Sequence, residues 1–483
     1  MSLGNKLFQG TVWSSLEKLS VQVVSFALGV ILARLLTPEE YGTFGLLLVF
    51  ISISQVFIDS GFSQALIQRQ ERTDKDISTV FLFNILVALA CYAILYVAAP
   101  SISYFYEVPK LTPLLRVLAI SLLLNALFTI PLTLLTIALD FKSIAKVTLV
   151  TTILSGALAI YCAYLGMGEW ALVIQTISKG AFMTIFLWLG TQWKPMFIFS
   201  KKSFNTLFSF GSKLLVSSLL SSLLSNLNSI LIGKYIGTKS LGFYTRGTQF
   251  ADIVYSILNA SLNSVLLPSL SVIQQNTKEL IGITRTILKT TALVTVPLFL
   301  GLALLSEPIV LILLSDKWRM AIPIMQIFCI ARLITILVGI SSNVLYAVGR
   351  TDLTLKQEYV KIAVRIIFLL IALPHGIYWI AVAELSATSI HYFINTYYPG
   401  KLFNYGAIAQ LRDISKIILA GITMFILGFI CKYLIINTYV QLLVVIPVCA
   451  FVYYYLLVFL KVNELNMLRS KILSLLKNNP ESN

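Results

Sequence analysis

The chain has 483 residues, of which 58% are apolar and only 12% are charged. Soluble domains are roughly 45–50% apolar and about 25% charged, so a soluble globular enzyme, a nucleic-acid-binding protein and a disordered chain are excluded. The composition indicates a polytopic membrane protein, and basic loops rather than nucleic acid explain its net charge of +16.

Apolar stretches of about 20 residues, long enough to cross a bilayer, recur along the whole chain. We expect about fourteen such helices and an all-α membrane fold. The first stretch is too long for the apolar core of a signal peptide and is retained as a helix. The approximate bounds are 11–33, 41–66, 77–99, 112–139, 144–165, 170–193, 206–233, 241–267, 284–305, 322–348, 359–374, 377–398, 413–434 and 438–460.

The charges of the connecting loops predict the orientation. With fourteen helices, the two termini and the even-numbered loops share one side, which carries about 21 Lys and Arg residues against about seven on the other side. Cytoplasmic loops are the basic ones, so we expect both termini in the cytoplasm. The basic, amphipathic tail at 463–479 predicts a short helix on the inner membrane surface.

The sequence also contains an internal repeat. Arg34 and Gly42 align with Lys234 and Gly242 at an offset of 200, and further matches follow at an offset that drifts to about 210, including Pro113 with Pro323 and Trp170 with Trp379. Six helices in each repeat predict two lobes of parallel topology around a central cavity. The predicted divisions are 1–200, 201–400, and 401–483 for the last two helices and the tail.

Polar side chains recur at helical spacing within several of these apolar stretches. The first helix carries Ser14, Lys18, Gln22 and Ser25 on one face. Charged groups in membrane helices usually face the bundle interior or a hydrated cavity. The predicted cavity residues are Lys18, Gln22, Lys213, Asn228, Arg246, Gln249 and Arg332, and the candidates for proton or ion coupling are Asp59, Asp252 and Glu384.

Structural interpretations of the same residues stay open. Serine is common where helices pack closely, and the charged residues could instead form buried ion pairs. Arg365 is either a charge that snorkels to the interface or a functional group. His391 either carries a proton near neutral pH or is a hydrogen-bonded structural residue, and Asp59 could simply cap the second helix.

No cofactor or metal is predicted. The segment Gly233–Ser240 does not satisfy the phosphate-loop pattern, the acidic residues form no metal-ligand cluster, and the five cysteines contain no CxxC pair.

Several short motifs together resemble a known family. They are LARLLTPEEYG at 32–42, DSGFSQALIQR at 59–69, DISTVFLFN at 76–84, GEWALV at 168–173, LGFY at 241–244 and LPSL at 267–270. Their order and spacing resemble bacterial polysaccharide flippases, the Wzx-type and teichuronic-acid-export-type members of the multidrug/oligosaccharidyl-lipid/polysaccharide (MOP) exporter superfamily.

This resemblance implies a V-shaped central cavity and alternating access. The implied location is the bacterial inner membrane. The implied cargo is an undecaprenyl-pyrophosphate-linked oligosaccharide, flipped from the cytoplasmic to the outer leaflet for export as O-antigen or exopolysaccharide. The implied partners are membrane lipids, a coupling ion such as H⁺ or Na⁺, and polysaccharide polymerase machinery. Lys18, Lys213, Arg246 and Arg332 would attract the diphosphate, while serine and amide side chains would bind sugars.

Three other readings remain open, and one is a scaffold without transport, which would have a dry interface between the lobes. A multidrug antiporter of the same superfamily would have twelve helices and an aromatic cavity. An integral-membrane glycan polymerase or acyltransferase would place catalytic residues in a long external loop, which this sequence lacks. The sequence therefore favours a transporter that is not an enzyme.

Overall fold

The computed structural model describes the backbone of residues 3–59, 61–69, 71–191, 193–196 and 198–465, and side chains throughout these ranges except 3–12, 14–18, 206, 207, 209–211 and 213. Within these ranges the chain is helical and contains no strand. The predicted all-α fold class is confirmed. The predicted tail helix at 463–479 lies mostly outside the described residues.

The described helices follow one another with short connections. The first nine are α1 (Leu3–Leu35), α2 (Pro38–Asp59), α3 (Phe62–Gln68), α4 (Asp74–Tyr106), α5 (Leu111–Leu118), α6 (Ile120–Ile137), α7 (Phe141–Tyr164), α8 (Trp170–Gly190) and α9 (Lys201–Tyr235). The next eight are α10 (Thr238–Val272), α11 (Thr277–Leu304), α12 (Ser306–Leu313), α13 (Ile322–Ala347), α14 (Thr351–Ala372), α15 (Ile377–Phe403), α16 (Ala407–Leu434) and α17 (Thr438–Phe459). Short 3₁₀ helices cover Asp316–Ala321 and Leu373–His375.

Twelve helices or helix pairs in the described part of the chain are long and apolar enough to cross a membrane. In none of them is more than half of the most apolar stretch buried. The exposed remainder includes large side chains such as Tyr104, Leu189 and Phe459, each more than 80% exposed. Apolar surface of this extent requires lipid around it, so the protein is a multi-pass membrane protein.

Two predicted spans are not among these twelve. The described side chains of α1 provide only a short apolar segment, Leu19–Leu35, and α14 carries Lys356, Glu358, Lys361 and Arg365 in its sequence. Both segments are helical, but the count of about fourteen spans remains a prediction.

Two predicted helices are interrupted. The second breaks into α2 and α3 before Gly61, whose φ of 70° lies in the left-handed region that favours glycine. The fourth breaks into α5 and α6 at Ala119. In addition, α12 occupies a region that the sequence suggested was a loop, because its eight residues are too few to register as a membrane span.

The chain divides into two compact units, Met1–Gly242 and Phe243–Asn483. In the first unit α1 packs on α7, α7 on α8, α6 on α8, and α9 on α2, α3 and α4. In the second unit α13 and α14 pack on α15, and α11 packs on α13 and α16. Because α9 packs with the first unit, the unit boundary lies beyond residue 200, and the lobes 1–200, 201–400 and 401–483 remain a prediction.

Each unit has its own apolar core. In the first, Phe62, Phe81 and Ile130 are buried and pack with Trp188 and Trp193. In the second, a larger core runs along α11, α13, α16 and α17, with Leu288, Ile340, Ile417 and Val445 almost fully buried.

A reciprocal glycine contact lies within the first unit and follows the sequence repeat. A Cβ atom on Gly42 would lie 1.7 Å from the carbonyl oxygen of Thr238, and one on Gly242 would lie 1.8 Å from the carbonyl oxygen of Pro38. Thr238 and Pro38 are themselves related by the offset of 200. Each repeat therefore presents the same glycine to the same backbone position of the other, as in a two-fold symmetric contact.

Candidate functional site

A charged cluster lies among apolar helices of the second unit. Asp252 on α10 forms an ion pair with Arg332 on α13, whose Nε donates to the carboxylate Oδ1 at 2.5 Å. The guanidinium also lies 5.5 Å from the ring centroid of Tyr255 and 5.4 Å from that of Phe328. Phe328 precedes Arg332 by one helical turn, and Tyr255 follows Asp252 by three residues, so both rings share the faces that carry the ion pair.

A second ion pair joins α14 to α15. The Nε of Arg365 lies 3.2 Å from Oε2 of Glu384, and the Glu384 side chain is only 11% exposed. Glu384 also interacts electrostatically with Arg332. We therefore define the charged cluster as Asp252, Arg332, Glu384 and Arg365.

The cluster brings together three of the residues predicted from sequence. Asp252, Arg332 and Glu384 were expected to line a cavity or bind ions, and each has an oppositely charged partner in the structure. Arg365, for which the sequence leaves snorkelling and a functional role open, contacts Glu384. Buried ion pairs add little net stability because desolvation offsets the attraction.

Two neighbouring predictions have local partners. Arg246 donates a hydrogen bond to Gln249 one turn later on α10, and Nε2 of His391 lies 3.1 Å from the carbonyl oxygen of Lys361. The contact of His391 agrees with the structural interpretation of this residue.

The remaining predicted site residues belong to the first unit. Gln22 is half-buried on α1, Asn228 is buried on α9, and Asp59 is exposed at the end of α2. The side chains of Lys18 and Lys213 lie outside the described residues. Their assignment to a substrate site therefore remains a prediction.

A hydrogen-bonded chain of side chains links Asp59 to the interior of the first unit. Asn125 on α6 donates to Gln55 at 2.9 Å, and Gln55 donates to the Asp59 carboxylate at 3.0 Å. Asp59 is thus held by a side chain one turn earlier on its own helix.

A polar cavity of about 500 Å³ lies in the first unit and includes a cation that sequence reasoning missed. The cation is Lys179 on α8, and the cavity wall also includes Ser25 of the predicted polar face of α1. Lys179 is the sole charged residue of the segment Trp170–Gly190, and that isolation was the available signal. The predicted polar faces did not include α8, which carries Gln175 one turn before this single cation.

An ion pair joins the end of α9 to the residue that follows α4 in the first unit. Lys234 at the end of α9 donates to Glu107, which follows α4, at 2.9 Å, and its ammonium lies 5.0 Å from the ring centroid of Phe105. The hydrogen bond and positive charge of Lys234 hold the pKa of the Glu107 carboxyl below its ordinary value.

The described residues contain no group of three or more His, Cys, Asp and Glu side chains able to hold a metal ion. The described site residues offer ion pairing and hydrogen bonding.

Comparisons with known proteins extend these observations. The chain is 28% identical to the teichuronic acid biosynthesis protein TuaB of Bacillus subtilis (strain 168) over 73% of each chain. Its fold is similar to that of the lipid II flippase MurJ in an inward closed conformation, with a TM-score of 0.75, 19% identity and coverage of 93% of this chain and 99% of that one. It also resembles an inward-facing multidrug resistance MATE transporter of the MOP superfamily, with a TM-score of 0.59, 16% identity and coverage of 81% and 100%.

These matches confirm the family resemblance and the MOP-type fold predicted from the sequence motifs. The sequence matches the family described as "Polysaccharide biosynthesis protein" over residues 31–323, which is more than half of its length. The chain is therefore a multi-pass membrane protein that belongs to the polysaccharide biosynthesis protein family.

Proposed function

We propose that this protein is a transporter, not an enzyme, that moves an undecaprenyl-diphosphate-linked oligosaccharide from the cytoplasmic to the outer leaflet of the inner membrane. The observation that carries the proposal is the charged cluster. Its ionised side chains lie on apolar helices of a polysaccharide biosynthesis family member, and ionised groups at membrane depth usually mark a path for polar cargo. The flippase and transporter folds of the structural relatives support the same mechanism class.

The chemistry of the cluster suits an anionic headgroup. Arg332 pairs with a carboxylate in the structure, and a diphosphate can take its place on the same planar guanidinium because it also offers paired acceptor oxygens and carries more negative charge. Binding would then release Asp252 from Arg332, and a proton or Na⁺ on this carboxylate would avoid leaving its charge unpaired in the membrane. Asp252 and Glu384 remain our candidates for coupling this exchange to H⁺ or Na⁺, and Asp59 is the third candidate.

The sugar portion requires different partners. Neutral side chains such as Gln22, Asn228 and Gln249 make exchangeable hydrogen bonds, which suit a mobile glycan better than fixed charges do. Lys18, Lys213 and Arg246 complete the proposed cationic path by their positions in α1, α9 and α10. We further propose that both termini are cytoplasmic and that the released glycan passes to polymerase machinery.

The proposal is tested by depleting the protein in its native host and following the lipid-linked glycan. We expect the glycan to accumulate in a form that a membrane-impermeant glycan-modifying enzyme cannot reach in intact spheroplasts, and to become accessible when the wild-type gene is restored. Accumulation that stays accessible from outside would overturn flipping, because the cargo would already be in the outer leaflet.

A multidrug antiporter is the second candidate, and the MATE-type fold favours it. It predicts that depletion sensitises cells to cationic drugs without any change in the lipid-linked glycan pool. The same strain therefore separates the two candidates.

A further inference from the structure

The polar cavity of the first unit is enclosed by α1, α6, α7 and α8 and measures about 500 Å³, a size typical of small-molecule sites. Its hydrogen-bonding side chains come from all four of these helices and are Ser25, Asn125, Thr148, Thr152, Ser155, Gln175, Thr176 and Lys179. A packed helix contact would not need so many polar groups around open space.

Lys179 is the distinctive member of this wall. Among the side chains that the structure describes, none makes an ion pair, hydrogen bond or ring contact with it. A lysine at membrane depth costs a few kcal/mol unless it is hydrated or paired. Open space beside Lys179 can supply this ammonium with water or an anion.

The hydroxyl groups of the wall are arranged as acceptors. Thr152 donates to the backbone of Thr148, Ser155 to that of Thr152, and Thr176 to that of Leu172. Because their protons are committed to their own helices, their oxygens remain available to accept hydrogen bonds from a ligand.

Two donors of the wall, Gln175 and Lys179, lie together on α8. They are one turn apart and therefore share a face. With Asn125 of α6, the cavity combines one positive charge, two amides and several acceptor oxygens.

The sequence repeat shows what the second unit has in the corresponding place. When Trp170 is aligned with Trp379, Gln175 corresponds to Glu384 and Lys179 to Thr388. When the first residues of α7 and α14 are aligned, Ser155 corresponds to Arg365. In the second unit the Arg365–Glu384 ion pair fills these positions. Among the described side chains of the first unit, these positions hold a single cation, Lys179, and no counter-ion, so its charge is available to a ligand.

We propose that this cavity binds a sugar residue with one negative charge, of the uronic acid type, as part of the glycan that the proposed function assigns to the protein. One ammonium matches one carboxylate, and the acceptor oxygens match sugar hydroxyls. A diphosphate carries more charge than one lysine neutralises, so it is a poorer match for this cavity.

The test uses the purified full chain in lipid nanodiscs and ligand-observed NMR with sodium glucuronate, glucose and inorganic pyrophosphate as probes. We expect glucuronate to bind at least tenfold more tightly than glucose, a difference of about 1.4 kcal/mol, and pyrophosphate not to displace it from the cavity. The Lys179→Met variant loses this preference and binds both sugars alike.

Two further variants control the experiment. Lys179→Arg retains the charge and keeps the preference, and Lys146→Met removes an exposed lysine of α7 in the same unit and leaves binding unchanged. If Lys179→Met does not fold, the wild-type protein is measured at high salt instead. We expect the preference for glucuronate to be lost there, since screening weakens the ion pair.

Equal binding of glucuronate and glucose, or a preference that survives Lys179→Met, would overturn the inference. So would competition in which pyrophosphate displaces glucuronate, since the site would then recognise phosphate. These outcomes are independent of the depletion experiment: a glucuronate site that persists when no lipid-linked glycan accumulates would leave the inference standing and refute the proposed flipping.

Discussion

Arg332 and Arg365 each face a carboxylate in a part of the protein built from apolar helices. Replacing such pairs by apolar residues is often neutral or stabilising, so their presence is better explained by use than by stability. At the scale of single residues, we expect that each arginine can exchange its carboxylate partner for an anionic group of a ligand.

The first prediction separates the stabilising role of one pair from its transport role. Arg332→Gln leaves Asp252 without its partner, and we expect a loss of about 1–3 kcal/mol, below the range for a fully buried pair because Asp252 is 42% exposed. The double variant Asp252→Asn, Arg332→Gln should recover most of this stability but not transport. Thermal unfolding in detergent and complementation of the depleted host measure the two effects.

The matched control is a surface pair of the same chemistry. Arg319 contacts Asp316 at 3.0 Å, and both side chains are mostly exposed. Arg319→Gln should change neither property, because exposed pairs contribute little. Full transport by the double variant would contradict a role for the Asp252–Arg332 pair in cargo binding.

The second prediction concerns the pH dependence of the Lys234–Glu107 contact. The lowered pKa of Glu107 means that its stabilising contribution is present at neutral pH and is lost as the pH falls through that lowered value. We expect Glu107→Gln to lower the unfolding temperature at pH 7, and the difference from wild type to vanish once the pH is well below about 4.3, the ordinary glutamate value. A difference that grows on acidification would contradict this contact.

At the scale of helices, a close backbone contact between α2 and α10 depends on two glycines. Gly42 and Gly242 allow the first turns of α2 and α10 to approach within the first unit. Any side chain there meets a carbonyl oxygen of the main chain, which cannot rotate away.

The third prediction follows from that contact. Gly42→Ala should destabilise the protein by roughly 1–3 kcal/mol through overpacking, as measured by unfolding temperature in detergent. Gly301→Ala on α11 is the control, because nothing lies within 4 Å of its added Cβ, and it should be neutral or stabilising by up to about 1 kcal/mol. Equal effects of the two substitutions would indicate that Gly42 does not mark a close contact.

Helix positions follow closely from sequence because hydropathy is a local property. Predicted 438–460 is observed as Thr438–Phe459, and predicted 322–348 as Ile322–Ala347. The start of α14 was placed eight residues late, at 359 instead of Thr351, because charged residues in its first half lower the hydropathy. Helix breaks such as the one before Gly61 were not predicted, because they depend on backbone conformation and not on hydropathy.

The site was less predictable than the fold. The polar faces identified Asp252, Arg332 and Glu384, but the pairing of Asp252 with a residue 80 positions away depends on how α10 and α13 pack. Lys179 was missed because a lone cation has no periodicity, and its importance became apparent only from the cavity around it.

At the scale of the whole molecule, the fourth prediction is the topology. In a functional variant without native cysteines, His375→Cys in the turn between α14 and α15 should react with an impermeant maleimide added outside intact cells. Lys401→Cys near the end of α15 should react only after permeabilisation. Both side chains are exposed in the structure, so burial does not bias the comparison. The reverse pattern would invert the orientation predicted from loop charge.

The most direct test of the central claim is transbilayer movement in proteoliposomes that contain only the purified protein and a fluorescent undecaprenyl-diphosphate oligosaccharide. We predict that labelled lipid from the inner leaflet becomes accessible to an impermeant quencher added outside much faster with wild-type protein than in protein-free vesicles. The Arg332→Gln variant should abolish this difference. Equal rates with and without wild-type protein, with the coupling ion supplied as a gradient of either H⁺ or Na⁺, would contradict the claim that this protein flips a lipid-linked glycan.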